Sequence, residues 1–77
     1  MIAINDKVVI SQRLGKRLVE LGFDPIESAS MHNVWAGRIV TVLDIWTDNI
    51  DNERVEFATV DLCNEIPLDC CSLWPSG

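Results

Sequence analysis

The longest β-branched apolar run of the chain lies in its middle, at residues 35–46, Trp-Ala-Gly-Arg-Ile-Val-Thr-Val-Leu-Asp-Ile-Trp. β-branched residues at this density favour a strand. The apolar residues come in pairs, Ile39-Val40 and Val42-Leu43, which is typical of a strand buried on both faces or bent by a bulge. We therefore predict that residues 35–46 form the central strand, with Gly37 at a kink or a close backbone approach.

Other extended segments complete a mostly β pattern. The triplet Val8-Val9-Ile10 predicts a first strand within residues 1–10. Residues 55–62 predict an antiparallel partner for the central strand, so that 38–62 forms a hairpin. The connection at 47–52 is rich in Asp and Asn, which favour turns because their side chains bond to nearby backbone groups.

The last segment of the chain predicts short elements. A tight turn is expected at Cys63-Asn64 and a short strand at 65–67, where Pro67 ends the strand or lies on a sheet edge. One 3₁₀ turn is expected within 68–72. Leu73-Trp74 is then a last edge strand before Pro75.

Residues 11–34 are the least strand-like part and interrupt the β pattern. Ser11 is a candidate cap for a helix whose leucines recur at helical spacing, at Leu14, Leu18 and Leu21. Gly22 suits the end of that helix. Asp24-Pro25-Ile26-Glu27 has the residues of a second helix start, and this helix would end at about residues 31–32. A long irregular segment with a single helical turn is the alternative.

Two short segments carry a resemblance to a known fold. Lys7-Val8-Val9-Ile10, followed by Gly37-Arg38-Ile39-Val40-Thr41-Val42, resembles the opening of KOW-type domains and of the SH3-like accessory subunit of photosystem I. The resemblance implies a small SH3-like barrel of about five antiparallel strands. We therefore expect one barrel domain over residues 1–77, with 11–34 as a helical or irregular insertion where those families have a short loop.

The charge is acidic and uneven. The net charge is −6 and the isoelectric point about 4.4, which argues against binding to phosphate backbones or anionic membrane surfaces. Residues 1–43 hold five Lys and Arg against four Asp and Glu, whereas residues 44–77 hold one Arg against eight carboxylates. No secretory leader or membrane span is evident, and three cysteines fit a reducing compartment, so we expect a cytoplasmic protein.

No catalytic or metal-binding motif emerges. Cys63, Cys70 and Cys71 lack the paired spacing of zinc sites, even with His32 added, and a Cys–His nucleophile has no orienting partner. Small buried side chains are the preferred interpretation, with a Cys63–Cys70 bridge as the alternative. The acidic loop around residues 48–53 lacks the glycine and spacing of a calcium loop. We therefore expect no cofactor, no metal and no enzymatic activity.

The remaining candidate features are tryptophans and carboxylates. One or two of the three tryptophans must be in the core, and one exposed beside Pro75 would indicate a peptide-binding groove. The sequence thus predicts a non-catalytic protein–protein interaction module, an accessory subunit or small regulator, and leaves a homodimer open. The alternative is an acidic phage-type inhibitor that mimics nucleic acid to block a host nucleic-acid enzyme. The candidate partner-binding residues are Trp35, Trp46, Trp74, Asp48, Asp51, Glu53, Glu56 and Asp61.

Overall fold

Five antiparallel strands form one open sheet in the computed structural model, which describes residues 1–75. The elements are, in chain order, β1 (Lys7–Ile10), α1 (Leu14–Glu20), α2 (Pro25–Trp35), β2 (Ile39–Ile50), β3 (Glu53–Val60), β4 (Asn64–Pro67) and β5 (Cys71–Leu73). The strand order is β4-β3-β2-β1-β5. A mostly β fold with helices between the first two strands is thus confirmed, while the last two residues of the predicted 1–77 domain lie outside the described ones.

Local capping rules account for the start of α2 and the end of α1. The side chain of Asp24 accepts a hydrogen bond from the Glu27 amide, 3.0 Å, and a proline follows it at the first helical position, as predicted. Gly22, with φ +95°, ends α1: its N–H donates to Val19 and that of the next residue to Leu18. These two bonds form a Schellman motif. Ser11 is not the helical cap, because Arg13 occupies that position.

The prediction that residues 35–46 form a strand was wrong at both ends. Helix α2 continues past residue 32 to Trp35, whose side chain is only 5% exposed and packs in the core. The helix ends before Gly37, which has a φ of +83° and donates its N–H to the Ile10 carbonyl, 2.7 Å. The predicted close backbone approach at Gly37 is therefore confirmed. The glycine, however, lies in the connection between α2 and β2 rather than within a strand.

Strands β2 and β3 form the predicted antiparallel hairpin, which is thus confirmed, but the turn between the strands is shorter than the sequence predicts. The register shifts between Val42 and Asp44, so that a bulge bends β2, one of the two predicted explanations for the paired apolar residues. Residues 47–50 are not a turn, because they pair with residues 53–56 of β3. The turn contains only Asp51 and Asn52, whose φ angles of 50° and 65° are those of a two-residue type I′ turn.

The end of the chain follows the predicted order of elements with shifted boundaries. Asp61–Cys63 is a 3₁₀ turn rather than the end of a strand. Pro67 lies on the edge strand β4, as expected, and a second 3₁₀ turn, Leu68–Cys70, leads to the other edge strand. Trp74 lies just beyond β5, and its N–H donates to the Lys7 carbonyl, 3.0 Å.

The buried apolar side chains form two clusters. The larger joins α1, α2 and the sheet and includes Val8, Ile10, Leu14, Leu18, Trp35, Val40, Val42, Ala58, Val60 and Ile66. The smaller contains Leu21, Val55 and Phe57, against which Trp46 and Ile50 pack. Within residues 1–75, no helix is both long and apolar enough to cross a membrane.

Candidate functional site

A groove of about 440 Å³ opens at the surface among the two helices, the β2–β3 hairpin and the start of β4. Its floor contains the stacked rings of Trp46 and Phe57, which lie opposite each other in the hairpin with centroids 4.7 Å apart and planes at 16°. Such a stack contributes about 0.5–1.5 kcal/mol beyond the area it buries. The Trp46 Nε1–H donates to Thr59 Oγ1, 3.1 Å, so the indole is held in one orientation.

The polar groups of the groove lining are mainly carboxylates. Glu27 comes from α2, Asp48 from β2 and Glu65 from β4, and all three are exposed. Of the lining residues that the structure describes, none is Lys, Arg or His. The groove therefore has a negative rim above an aromatic floor.

Ser28 is the buried polar group of the groove. The residue is 1% exposed and lies in the first turn of α2, and its Oγ has no hydrogen-bond partner among residues 1–75. An unpartnered buried hydroxyl costs about 1–3 kcal/mol. Although Ser28 lines the groove, its Oγ has less than 1 Å² of accessible surface, so this oxygen is closed off from the groove opening.

A strained turn borders the groove. Leu62 has φ 64° and ψ 22° and is 85% exposed, and Cys63 after it also has a positive φ, 59°. The side chain of Asn64 donates to the carbonyls of Asp61 and Leu62, at 3.5 and 3.4 Å, and so supports the turn. Left-handed backbone at non-glycine residues is unfavourable and tends to occur at functional sites.

The structure brings together two of the eight predicted site residues. Trp46 and Asp48 line the groove. Trp35 is buried, and the Arg38 guanidinium carbon lies 5.7 Å from its ring centre. Trp35 is therefore a core residue, and its prediction as a partner contact was wrong. Trp74 is 47% exposed at the end of β5 and does not line the groove.

The other four predicted carboxylates also lie outside the groove lining. Asp51 is in the hairpin turn, Glu56 is exposed on β3 and Asp61 begins a 3₁₀ turn. Glu53 is bound within the molecule, because Arg17 of α1 reaches its carboxylate at 2.8 Å. The same guanidinium contacts Asp69 at 2.9 Å. This arginine therefore links α1 to the start of β3 and to the 3₁₀ turn that precedes β5.

The cysteines differ in exposure. All three lie within the described residues and are free thiols; Cys63 is exposed, whereas Cys70 and Cys71 are buried. Burial, reinforced by the charge of Asp69, raises the pKa of Cys70 to about 12 and that of Cys71 to about 11. Thiols that stay protonated are poor nucleophiles and metal ligands. Residues 1–75 also contain no group of three or more His, Cys, Asp or Glu arranged to hold a metal ion.

His32 has a structural role in the packing of the two helices. Its Nδ1 accepts the Gly15 N–H, 3.1 Å, an amide in the first turn of α1. First-turn amides have no partner within their own helix. His32 therefore acts as a cap supplied by α2, and the glycine allows the close approach, since a Cβ there would lie 3.1 Å from the Cβ of His32.

Sequence reasoning missed most of the groove. Phe23, Glu27, Ser28 and Met31 all come from the segment between the first two strands, and Glu65 comes from the short strand β4. The sequence contains one indication of these residues, the predicted helix start at residue 24. A helix that starts there carries Glu27, Ser28 and Met31 on its first two turns.

No family model, no curated protein and no solved structure matches this chain. The class of protein is therefore defined by its own architecture: a small, mostly β fold with two helices and an acidic, aromatic groove.

Proposed function

We propose that this chain is a non-catalytic protein-interaction module, an accessory subunit or small regulator, which docks a partner protein at the groove. The observation that carries the proposal is the combination of a fixed aromatic floor and an acidic rim in one groove. Aromatic side chains held in one conformation are typical binding anchors, because little entropy is lost when they are covered.

The proposal of a non-catalytic role is supported by the state of the reactive side chains. Cys70 and Cys71 are buried with raised pKa values, and His32 is engaged by a backbone amide. The free thiols also accord with a cytoplasmic location, where disulfides are rare.

We also propose that the fold is an SH3-like barrel. Its support is the order β4-β3-β2-β1-β5, in which β2 pairs with β1 before its bulge and with β3 largely beyond it. The 3₁₀ turn between β4 and β5 joins the two edge strands. Peptide grooves are common on such barrels, but function must be argued from the site itself.

The test uses Cys63, an exposed thiol in the groove lining, as the attachment point for a maleimide-linked photocrosslinker. In extracts of the source cells we expect one discrete crosslinked partner, and we expect Phe23→Ser, at the exposed lip, to reduce it. The matched control carries the same label on Ser72→Cys in a Cys63→Ser background, because Ser72 is exposed on β5, outside the groove lining.

Salt distinguishes this proposal from the alternative. Partner capture at an apolar floor should persist from about 0.1 M to about 1 M salt, whereas contacts between exposed charges weaken as the Debye length falls from about 10 to about 3 Å. Capture that vanishes at high salt and ignores the groove variant would contradict docking at the groove. It would instead favour an acidic inhibitor that mimics nucleic acid.

A further inference from the structure

We infer that the groove receives the cationic side chain of a lysine or arginine from an extended segment of the partner protein; this inference rests on the proposed function. The first reason is unbalanced charge. Glu27, Asp48 and Glu65 lie on three different elements of a lining that, among the described residues, contributes no cation. Elsewhere the chain neutralises converging carboxylates itself, with Arg17 between Glu53 and Asp69 at 2.8 and 2.9 Å.

The second reason is the way Trp46 is presented. Its Nε1–H is already used by Thr59, and one ring face is covered by Phe57. What Trp46 offers a ligand is therefore ring surface rather than a hydrogen-bond donor. Ring surface attracts cations, and the chain already contains such a pair in Arg38 and Trp35, 5.7 Å apart.

The third reason is a match of shape and polarity along the length of such a side chain. Lysine and arginine carry an apolar stem below a charged head. Met31, Ile50 and Phe23 supply apolar lining for the stem, and the exposed carboxylates supply acceptors for the N–H groups of the head. The volume of about 440 Å³ is near the lower end of ligand pockets, which suits one side chain and its flanking backbone rather than a helix.

The test compares two capped pentapeptides, acetyl-Gly-Leu-Arg-Leu-Gly-amide and the same peptide with citrulline, the neutral isostere of arginine. Binding is followed by ¹⁵N NMR through the Trp46 indole and the Ser28 and Glu65 amides. We expect the arginine peptide to shift these signals and the citrulline peptide to bind at least about 5-fold more weakly, equivalent to about 1 kcal/mol. No shift up to about 5 mM arginine peptide would overturn the inference, since contacts worth about 3 kcal/mol are detected there.

Charge-neutralising variants locate the effect. Asp48→Asn with Glu65→Gln should weaken the arginine peptide about 10-fold and leave the citrulline peptide within about 2-fold, because one set of charge-assisted contacts is removed. Glu56→Gln is the matched control, an exposed carboxylate outside the groove lining. Equal binding of the two peptides would overturn the cationic occupant but leave groove docking intact. A crosslinked partner insensitive to Phe23→Ser would instead overturn the proposed function.

Discussion

The two buried cysteines make a specific prediction for alkaline pH. Cys70 is 3% exposed and Cys71 8% exposed, and burial is the main cause that raises their pKa values to about 12 and about 11 from an ordinary value of 9.0. In the unfolded chain both thiols ionise above pH 9, whereas in the folded chain they keep their protons. The native state therefore binds more protons than the unfolded state between pH 9 and 11, and stability falls as pH rises through that window.

The magnitude follows from the linkage relation. Each thiol contributes a loss of about 1.4 kcal/mol per pH unit once the unfolded form is ionised. Between pH 8 and pH 10 the two thiols together should lower the free energy of unfolding by roughly 2.7 kcal/mol, since their folded pKa values lie at about 11 and 12. That is a large fraction of the stability of a small domain, typically about 5–15 kcal/mol.

The assay is urea unfolding at both pH values under reducing conditions, followed by tryptophan fluorescence. The quantity compared is the pH-dependent change in the free energy of unfolding, in the wild type and in Cys70→Ala with Cys71→Ala. Every other pH-dependent contribution is common to both proteins and cancels in this comparison. Cys63→Ser is the control, because it removes a thiol but leaves the two buried ones in place, and the loss attributed to Cys70 and Cys71 should persist in it. An equal pH-dependent loss in the double variant would refute the reasoning.

Three further substitutions test the structural roles of single residues. Replacing Arg17 with Met removes its bonds to Glu53 and Asp69 and should cost about 1 kcal/mol by urea unfolding, less at high salt, since both carboxylates are half-exposed. Gly22→Ala should lower stability by about 1–2 kcal/mol because φ is +95° there, and an unchanged melting temperature would contradict this. Leu62→Asn should raise stability by about 0.5–1 kcal/mol, since asparagine tolerates a left-handed backbone better; a lower urea midpoint would count against strain at this turn.

The parts of the fold that the sequence predicted depend on interactions within a few residues. Helix α2 starts at a capping aspartate followed by proline, Asp24-Pro25, and helix α1 ends at a glycine, Gly22. Each boundary depends on one or two residues, so the sequence predicts both directly. The end of α2 was missed although Gly37 gives the same signal as Gly22. The β-branched residues that follow it led to its interpretation as part of a strand.

The conformational preferences of single residues do not predict how far the two strands of the hairpin extend. Asp48 and Asn49 favour turns by themselves, yet they pair across the hairpin with Val55 and Arg54. Cross-strand pairing fixes their extended backbone and confines the turn to two residues. The groove was unpredictable for a related reason: its carboxylates lie on α2, β2 and β4, and only the packing of the helices on the hairpin brings them together.

The groove is formed jointly by the sheet and by the segment between its first two strands. Phe23, Glu27, Ser28 and Met31 belong to the segment 11–34, which lies between β1 and β2. Trp46 and Phe57 belong to the sheet, but without that segment their stack would face solvent on this side. This segment therefore turns a partly buried aromatic pair into the floor of an acidic groove. If the groove is the binding site, its specificity depends on side chains from both the helical segment and the sheet, so the strand order alone says nothing about the partner.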